Sequence, residues 1–411
     1  MAVEFGGMDD QAVVNSTARR RQPKSVCLMV THESTANVFY RHYLEFLRES
    51  GWTVSIVTSS LGTLRELGNR EGVAAYDLPM RREPSPLRDA VSLVRAVILL
   101  LRLRPEVIVA ATPKAGLLGM VAGWLTRVPV RVYQLWGLRL ETETGWRRAL
   151  FIILEKTAAR LATQVVANST SLAQEAEALG IGNSMTVLGE GSSHGVDLEY
   201  FDRTNVDIPE LPPDVAEKLA ERPDALTVGF VGRVHRDKGV DTLIEAVERC
   251  VRSGIDVNLL IVGSSEDENI EALMSRPSVP GLVIVRVGPV SDTRPFFLAM
   301  DLHCLPTMRE GFPNVVLEAS ALGIPTITTT ATGARDSVRA GVTGIIVKAG
   351  SSEDLADAIS SLGNDRSRIT LMGKKARAWV SRSFGKKRMW LLQEENLSRQ
   401  IASYSSSRLL K

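Results

Sequence analysis

Two doubly wound α/β domains facing each other across a cleft are predicted for this chain of 411 residues. Three observations carry that prediction. Short apolar, β-rich runs alternate with longer helical patterns through both halves, as in parallel sheets covered on both faces. A proline-rich stretch at 202–224 breaks the rhythm once. The length exceeds what one ordinary hydrophobic core accommodates.

The lead-in at 1–22 is polar, ends in Arg19-Arg20-Arg21 and has no apolar stretch of the secretory kind, so it is expected to be disordered. The first domain is expected over 23–201. Its strand-like runs lie at 25–30, 53–58, 107–111, 130–135, 164–168 and 185–188, with helical patterns at 39–50, 87–102, 115–127, 146–161 and 171–179. Prolines at 209, 212, 213 and 223 make 202–224 an interdomain linker. The second domain, 225–385, repeats the pattern with strands at 227–231, 258–262, 283–287, 302–305, 326–329 and 344–347, and helices such as 240–253 and 315–322. A helix at 386–403, inside the segment 386–411, follows the final strand and is expected to cross back to the first domain.

With 44% hydrophobic and 23% charged residues the composition is that of an ordinary globular protein. A net charge of +2 and 5% aromatics give no reason to invoke nucleic acid. Cys27, Cys250 and Cys304 lie far apart in apolar contexts and read as buried thiols of a cytoplasmic protein. No stretch approaches the roughly 20 apolar residues that a membrane span needs. His235 and His303 read as incidental. No H-x-x-x-H, Cys/His cluster or strand-terminal D-x-D is present, so neither a metal nor another cofactor is expected.

Two segments point to chemistry. In Gly229-Phe230-Val231-Gly232-Arg233-Val234-His235-Arg236-Asp237-Lys238-Gly239 an apolar strand feeds a loop with two spaced cations. In Arg309-Glu310-Gly311-Phe312-Pro313-Asn314-Val315-Val316-Leu317-Glu318-Ala319 two acids lie eight residues apart around a turn that opens a helix. Gly311 permits a tight turn, and Pro313 is preset for the first helical position. The amides of 312–315 then face a phosphate at the positive end of the helix dipole. Arg233 and Lys238 add charge to a diphosphate, and Glu310 and Glu318 accept hydrogen bonds from sugar hydroxyls. Taken singly, Arg233, Lys238 and Glu318 also fit ordinary surface charge, and His194-Gly195-Val196-Asp197 fits a glycine turn with an Asp cap. Glu310, just before a glycine turn, has no such explanation.

In combination these segments resemble the retaining, nucleotide-sugar-dependent glycosyltransferases of family 4. That resemblance implies the GT-B fold, two Rossmann-like domains with the donor in the second. Gly189-Glu190-Gly191-Ser192-Ser193-His194-Gly195-Val196-Asp197 adds to it. Thr332-Gly333-Ala334-Arg335-Asp336-Ser337-Val338 and Thr112-Pro113-Lys114-Ala115-Gly116-Leu117-Leu118-Gly119 resemble the branch that builds capsule, O-antigen and other lipid-linked glycans. The likeness runs over about 25–385. It implies that Gly232, Arg233 and Lys238 hold the donor diphosphate, most simply of a UDP-sugar. Glu310 would bind the transferred sugar, with backbone from Gly311, Phe312, Pro313, Asn314 and Val315. Glu318 would hold the ribose, and loops at Gly263 and Val290 would enclose the base. Catalysis then rests on Glu310, Arg233 and Lys238. Many members carry a histidine in the loop after the strand at 131–135; here Trp136 stands in its place. Trp136, Arg139 and His32 are the acceptor-side candidates. The acceptor is expected to be lipid-linked or a glycan.

Other readings are an epimerase or storage-polysaccharide synthase on the same fold, or a catalytically silent partner subunit. A dinucleotide oxidoreductase would need G-x-G-x-x-G after the first strand, where Thr31-His32-Glu33-Ser34-Thr35-Ala36-Asn37 stands instead. Finally, Arg88, Arg95 and Arg102 recur every seven residues along one helix, flanked by Arg81, Arg82 and Arg104. They are either a solvated face or a dock for anionic lipid on the inner face of the plasma membrane. Trp146-Arg147-Arg148-Ala149-Leu150-Phe151 has the same basic and apolar character.

Overall fold

The computed structural model describes residues 24–81, 85–265, 267, 272 and 279–409. The lead-in at 1–22 and Arg82 lie outside the described residues. The first sheet has seven strands: β1 (Ser25–His32), β2 (Thr53–Ser59), β3 (Ala74–Asp77), β4 (Val107–Ala111), β5 (Val130–Leu135), β6 (Gln164–Ala167) and β7 (Thr186–Val187). They run parallel in the order β3-β2-β1-β4-β5-β6-β7. The second has six: β8 (Leu226–Val231), β9 (Val257–Val262), β10 (Leu282–Val287), β11 (Leu302–Leu305), β12 (Thr326–Thr329) and β13 (Gly344–Val347). Their order is β10-β9-β8-β11-β12-β13, also parallel. Strand order therefore reverses beside β1 and beside β8, and such switch points open a crevice at the carboxyl ends.

Every residue of β4, β8 and β9 is buried, because helices cover both faces of each sheet. In the first domain the helix Pro113–Leu125 packs on the sheet through small residues. A Cβ at Gly116 would meet the Tyr133 ring at 2.3 Å, and one at Gly119 would meet Ala110 Cβ at 2.7 Å. The A-G-L-L-G spacing is thus a close helix–sheet contact.

Some elements differ from expectation. The helix expected over 39–50 is two, Glu33–Phe39 and Tyr43–Glu49, broken where His42 takes a left-handed φ of 62°. The helix Leu64–Glu71 and the half-exposed edge strand β3 carried too few apolar residues to be read. The stretch 202–224 contains a helix, Pro213–Ala220, whose prolines start it instead of breaking it. It buries Val215 among Leu260, Val285 and Phe297 of the second domain.

The helix Lys386–Leu409 places Trp390 and Leu397 in the first domain's core with Val26, Val54 and Val166. Trp52 Nε1 donates to Glu394 at 3.1 Å, and Lys24 Nζ to Ser398 at 2.7 Å. All three cysteines are buried, and burial pushes the Cys27 thiol up to about 12. No described helix is long and apolar enough to cross a membrane.

Candidate active site

The loop after β8 is shaped by glycines at contact distance from backbone. Gly263 has a φ of 142°, and a Cβ there would lie 1.8 Å from the Gly232 carbonyl, so the loops after β8 and β9 touch without side chains between them. Gly232 N donates to Val262 O at 2.9 Å, and Val234 N to Ser264 O at 2.8 Å. The chain then makes a 3-10 turn over Arg236–Lys238 before entering the helix Val240–Arg252. Met308 N and Thr307 Oγ1 both donate to the Asp237 carbonyl, at 2.9 and 3.0 Å. The cation-bearing loop is thereby pinned to the loop after β11, which carries Glu310.

Lys238 Nζ lies 2.5 Å from Glu310 Oε1. Asp237 gathers three further side chains: His235 Nδ1 at 2.8 Å, Arg309 at 3.4 Å and Arg233 at 3.7 Å. Burial opposes its charge, but Lys238, His235 and Arg233 outweigh it and hold the carboxyl below its ordinary value. Arg309 Nε is buried with no hydrogen-bond partner among the described residues. Sequence reading assigned no role to Asp237 and Arg309 and read His235 as incidental. The signal available was an acid set between the cations of R-V-H-R-D-K.

Glu310 N donates to Thr332 O at 3.0 Å. The helix that follows spans Asn314–Ala321, with Pro313 as its cap (φ −80°, ψ 102°). Pro313 is therefore one position earlier than expected, and having no N–H it gives no amide. The donors in that stretch are those of Phe312, Asn314 and Val315. Glu318 is half-buried one turn along the helix, and burial pushes its carboxyl up to about 7. Val290, after β10, packs at the edge of the second domain's core.

A cavity of about 520 Å³ separates these loops from the first domain. Thr112, Pro113, Trp136, Gly137, Arg139 and Glu143 line one side, and Arg233, His235, Asp237 and Arg309 the other. Arg233, Trp136 and Arg139 thus share one cavity. Lys238 and Glu310 adjoin it, each next in sequence to a lining residue. His32 ends β1 instead of sitting in the loop beyond, and is not among the lining residues. Thr112 is held at φ 67° and ψ 147°, a conformation glycine favours, while its hydroxyl meets that of Thr31 at 2.6 Å.

The domains touch around this cavity. A Cβ on Gly311 would lie 1.7 Å from the Trp136 carbonyl, so only glycine fits there. Trp136 stacks on Phe39 at 4.4 Å, and Phe39 meets the edge of His194 at 4.9 Å. Asn314 joins both: its Nδ2 is 2.7 Å from His194 Nε2, and its Oδ1 accepts from Ser192 Oγ at 2.8 Å. Burial pushes the His194 imidazole down to about 4, so it is neutral at pH 7. Asp336 accepts from Ser171 N at 3.3 Å, a carboxylate at the start of the helix Thr170–Ala178. Arg88, Arg95 and Arg102 are exposed on the helix Pro86–Leu103, away from the cavity.

Comparison with known proteins agrees with this geometry. Residues 225–365 match the model described as Glycosyl transferases group 1, and residues 34–191 the Glycosyl transferase 4-like domain. The chain is 36% identical over 355 residues to the capsular polysaccharide biosynthesis glycosyltransferase CapM of Staphylococcus aureus, covering 85% of this chain and 90% of that one. Among solved structures, Anabaena HepE in complex with UDP superposes with a TM-score of 0.71 at 20% identity, over 92% of this chain and all of that one. Sucrose-phosphate synthase from Thermosynechococcus elongatus gives a TM-score of 0.72 at 20% identity, over 92% and 99%. Matched across both domains, the chain belongs to the group 1 glycosyltransferases and is a glycosyltransferase of GT-B fold.

Proposed function

We propose that the enzyme transfers a sugar, with retention of anomeric configuration, from a UDP-sugar to a lipid-linked or glycan acceptor in capsule-type polysaccharide assembly. The observation that carries this reading is the junction of Lys238 and Glu310 beside a helix start and across a cavity from Arg139. CapM is named for capsule biosynthesis, and HepE was solved with UDP and with UDP-glucose. Arg233, Lys238 and the amides of Phe312, Asn314 and Val315 meet the charge that grows on the departing diphosphate. Glu310 orients the transferred sugar, and Glu318 the ribose. The leaving phosphate oxygen takes the acceptor's proton on the same face. Closure of the domains keeps out water, which would hydrolyse the donor.

Because Arg233 and Lys238 supply the positive charge, the reaction needs no divalent metal. The test is UDP release measured in excess chelator, with and without acceptor. Release only with acceptor, at full rate in chelator, is expected. Release restored only by magnesium or manganese would sink the assignment of these cations. The arginine stripe fits the inner face of the plasma membrane: Leu87, Val91, Val94, Ile98 and Leu101 are all exposed beside Arg88, Arg95 and Arg102.

A further inference from the structure

The loop 189–195 belongs to the first domain, yet its side chains reach the start of the helix Asn314–Ala321 in the second. Ser192 is buried at a φ of 77°, a left-handed conformation that disfavours any residue with a Cβ. Such strain is kept where the surrounding contacts over-determine it. Here Ser192 N donates to Asn168 O at 2.7 Å. Its hydroxyl accepts from Gly195 N at 3.0 Å and donates to Asn314 Oδ1 at 2.8 Å.

His194 takes the other end of the same amide. Asn314 Nδ2 lies 2.7 Å from His194 Nε2 and 2.9 Å from Nδ1, and Nδ1 is also 2.8 Å from Ser193 Oγ. The neutral ring has one bare nitrogen. All three groups are satisfied when Nδ1–H donates to Ser193 and Nε2 accepts from Asn314. Both ends of the Asn314 side chain are thus held by first-domain groups, which leaves its backbone N–H to meet a ligand. Phe312 is held from the same side: it is buried, packs in one apolar cluster with Val196, and its ring would lie 3.1 Å from a Cβ on Gly191.

We infer that Ser192 and His194 are positioning residues for the donor diphosphate: without touching it they fix Asn314, and with it the amides that receive the phosphate. The inference rests on the assignment of those amides to the diphosphate in the sugar-transfer reading above. It makes donor affinity a property of both domains, with the Asn314 side chain a strut and not a ligand.

Calorimetric titration of the full chain with UDP tests it. Ser192→Ala keeps the Cβ and removes the hydroxyl, while His194→Phe keeps a ring against Phe39 and removes the acceptor. Each should weaken UDP binding by roughly three- to tenfold, the worth of one hydrogen bond. Asn314→Ala keeps the backbone N–H and should weaken binding at least as much. In that background neither first-domain substitution should weaken it further. Arg339→Ala cuts a different cross-domain pair, Arg339–Glu190 at 3.0 Å, and should leave UDP affinity as in the wild type. Unchanged affinity in either Ser192→Ala or His194→Phe, with affinity lost in Arg233→Ala, overturns the inference and leaves the donor site standing. Full additivity with Asn314→Ala, or an equal loss in Arg339→Ala, also overturns it, since domain contact at large would then be responsible. UDP affinity that survives Arg233→Ala and Lys238→Ala as well would refute the donor site itself.

Discussion

Lys238 and Glu310 form an ion pair of 2.5 Å in which the two side chains are only 17% and 15% exposed. The cation assigned to the diphosphate and the carboxylate assigned to the sugar are therefore one electrostatic unit. Screening by water is weak at such a site, and removing either partner strands the other. Their substitutions should not add.

Glu310→Gln keeps the shape and a hydrogen-bonding oxygen while removing charge at the transferred sugar. Turnover should fall by about 10²–10³, the usual loss for one preorganised contact. UDP affinity should stay near that of the wild type. Saturating-donor kinetics decide the matter, and a variant turning over at the normal rate refutes the role.

Arg233→Ala and Lys238→Ala should each weaken UDP binding by about 1.5–3 kcal/mol, the range for charge-assisted contacts. Arg233, 48% exposed, belongs at the lower end. In Lys238→Ala, adding Glu310→Gln should recover part of the loss, with a coupling of roughly 0.5–3 kcal/mol by calorimetry. Strict additivity would contradict the pair.

Gly311→Ala places a methyl group against the Trp136 carbonyl. The domains must separate to relieve it, so turnover should drop while the second domain still binds UDP. Small-angle scattering should report a larger radius of gyration. An unchanged radius with normal turnover would mean the contact is dispensable.

Glu155 is buried, accepts a 2.5 Å hydrogen bond from Tyr133, and burial pushes its carboxyl up to about 7. Its protonated form is the one the fold favours. That contribution is complete below about 4.5 and is lost as pH rises through about 7. At 1.36 kcal/mol per pH unit, ionising it costs about 3 kcal/mol. Glu155→Gln should therefore raise the melting temperature at pH 8 and leave it unchanged at pH 4.5. Parallel melting curves for the two proteins across that range would rule this out.

If Arg88, Arg95 and Arg102 meet anionic lipid, the protein should sediment with acidic phospholipid vesicles and not with neutral ones. Salt should weaken this, since exposed charges are screened over about 8–10 Å at physiological ionic strength. Changing all three to glutamine should abolish sedimentation with UDP binding intact. A triple variant that still sediments would make the stripe a solvated face.

The strands of both sheets were legible because parallel strands buried on both faces are continuous apolar runs, as in β4, β8 and β9. The short edge strand β3 was not, since Ala74–Asp77 is half-exposed and ends in a charge. At the site, Arg233, Lys238 and Glu310 were visible because each sits in a loop with glycine beside it, and Glu318 because it follows Glu310 by eight residues across a helix start. The acid that gathers Arg233 and Arg309 was not. Asp237 and Arg309 come together through a carbonyl, that of Asp237, which links two loops some seventy residues apart. The Gly311–Trp136 contact was hidden for the same reason, as only the packed domains reveal which backbone a glycine must accommodate. Pro313 misled by one position because helix ends are fixed only to within a residue or two by the local pattern.

The helix Lys386–Leu409 has a consequence for biosynthesis. Its Asn396 bonds Gln164 across 232 positions of sequence, and its Glu394 bonds Trp52 across 342. The domain that is translated first is therefore the last to be completed. While the second domain is being made, the face of the first sheet that awaits Trp390 and Leu397 stays uncovered at the ribosome exit. A chain stopped after Gly385 should therefore leave both domains made and one of them unfinished.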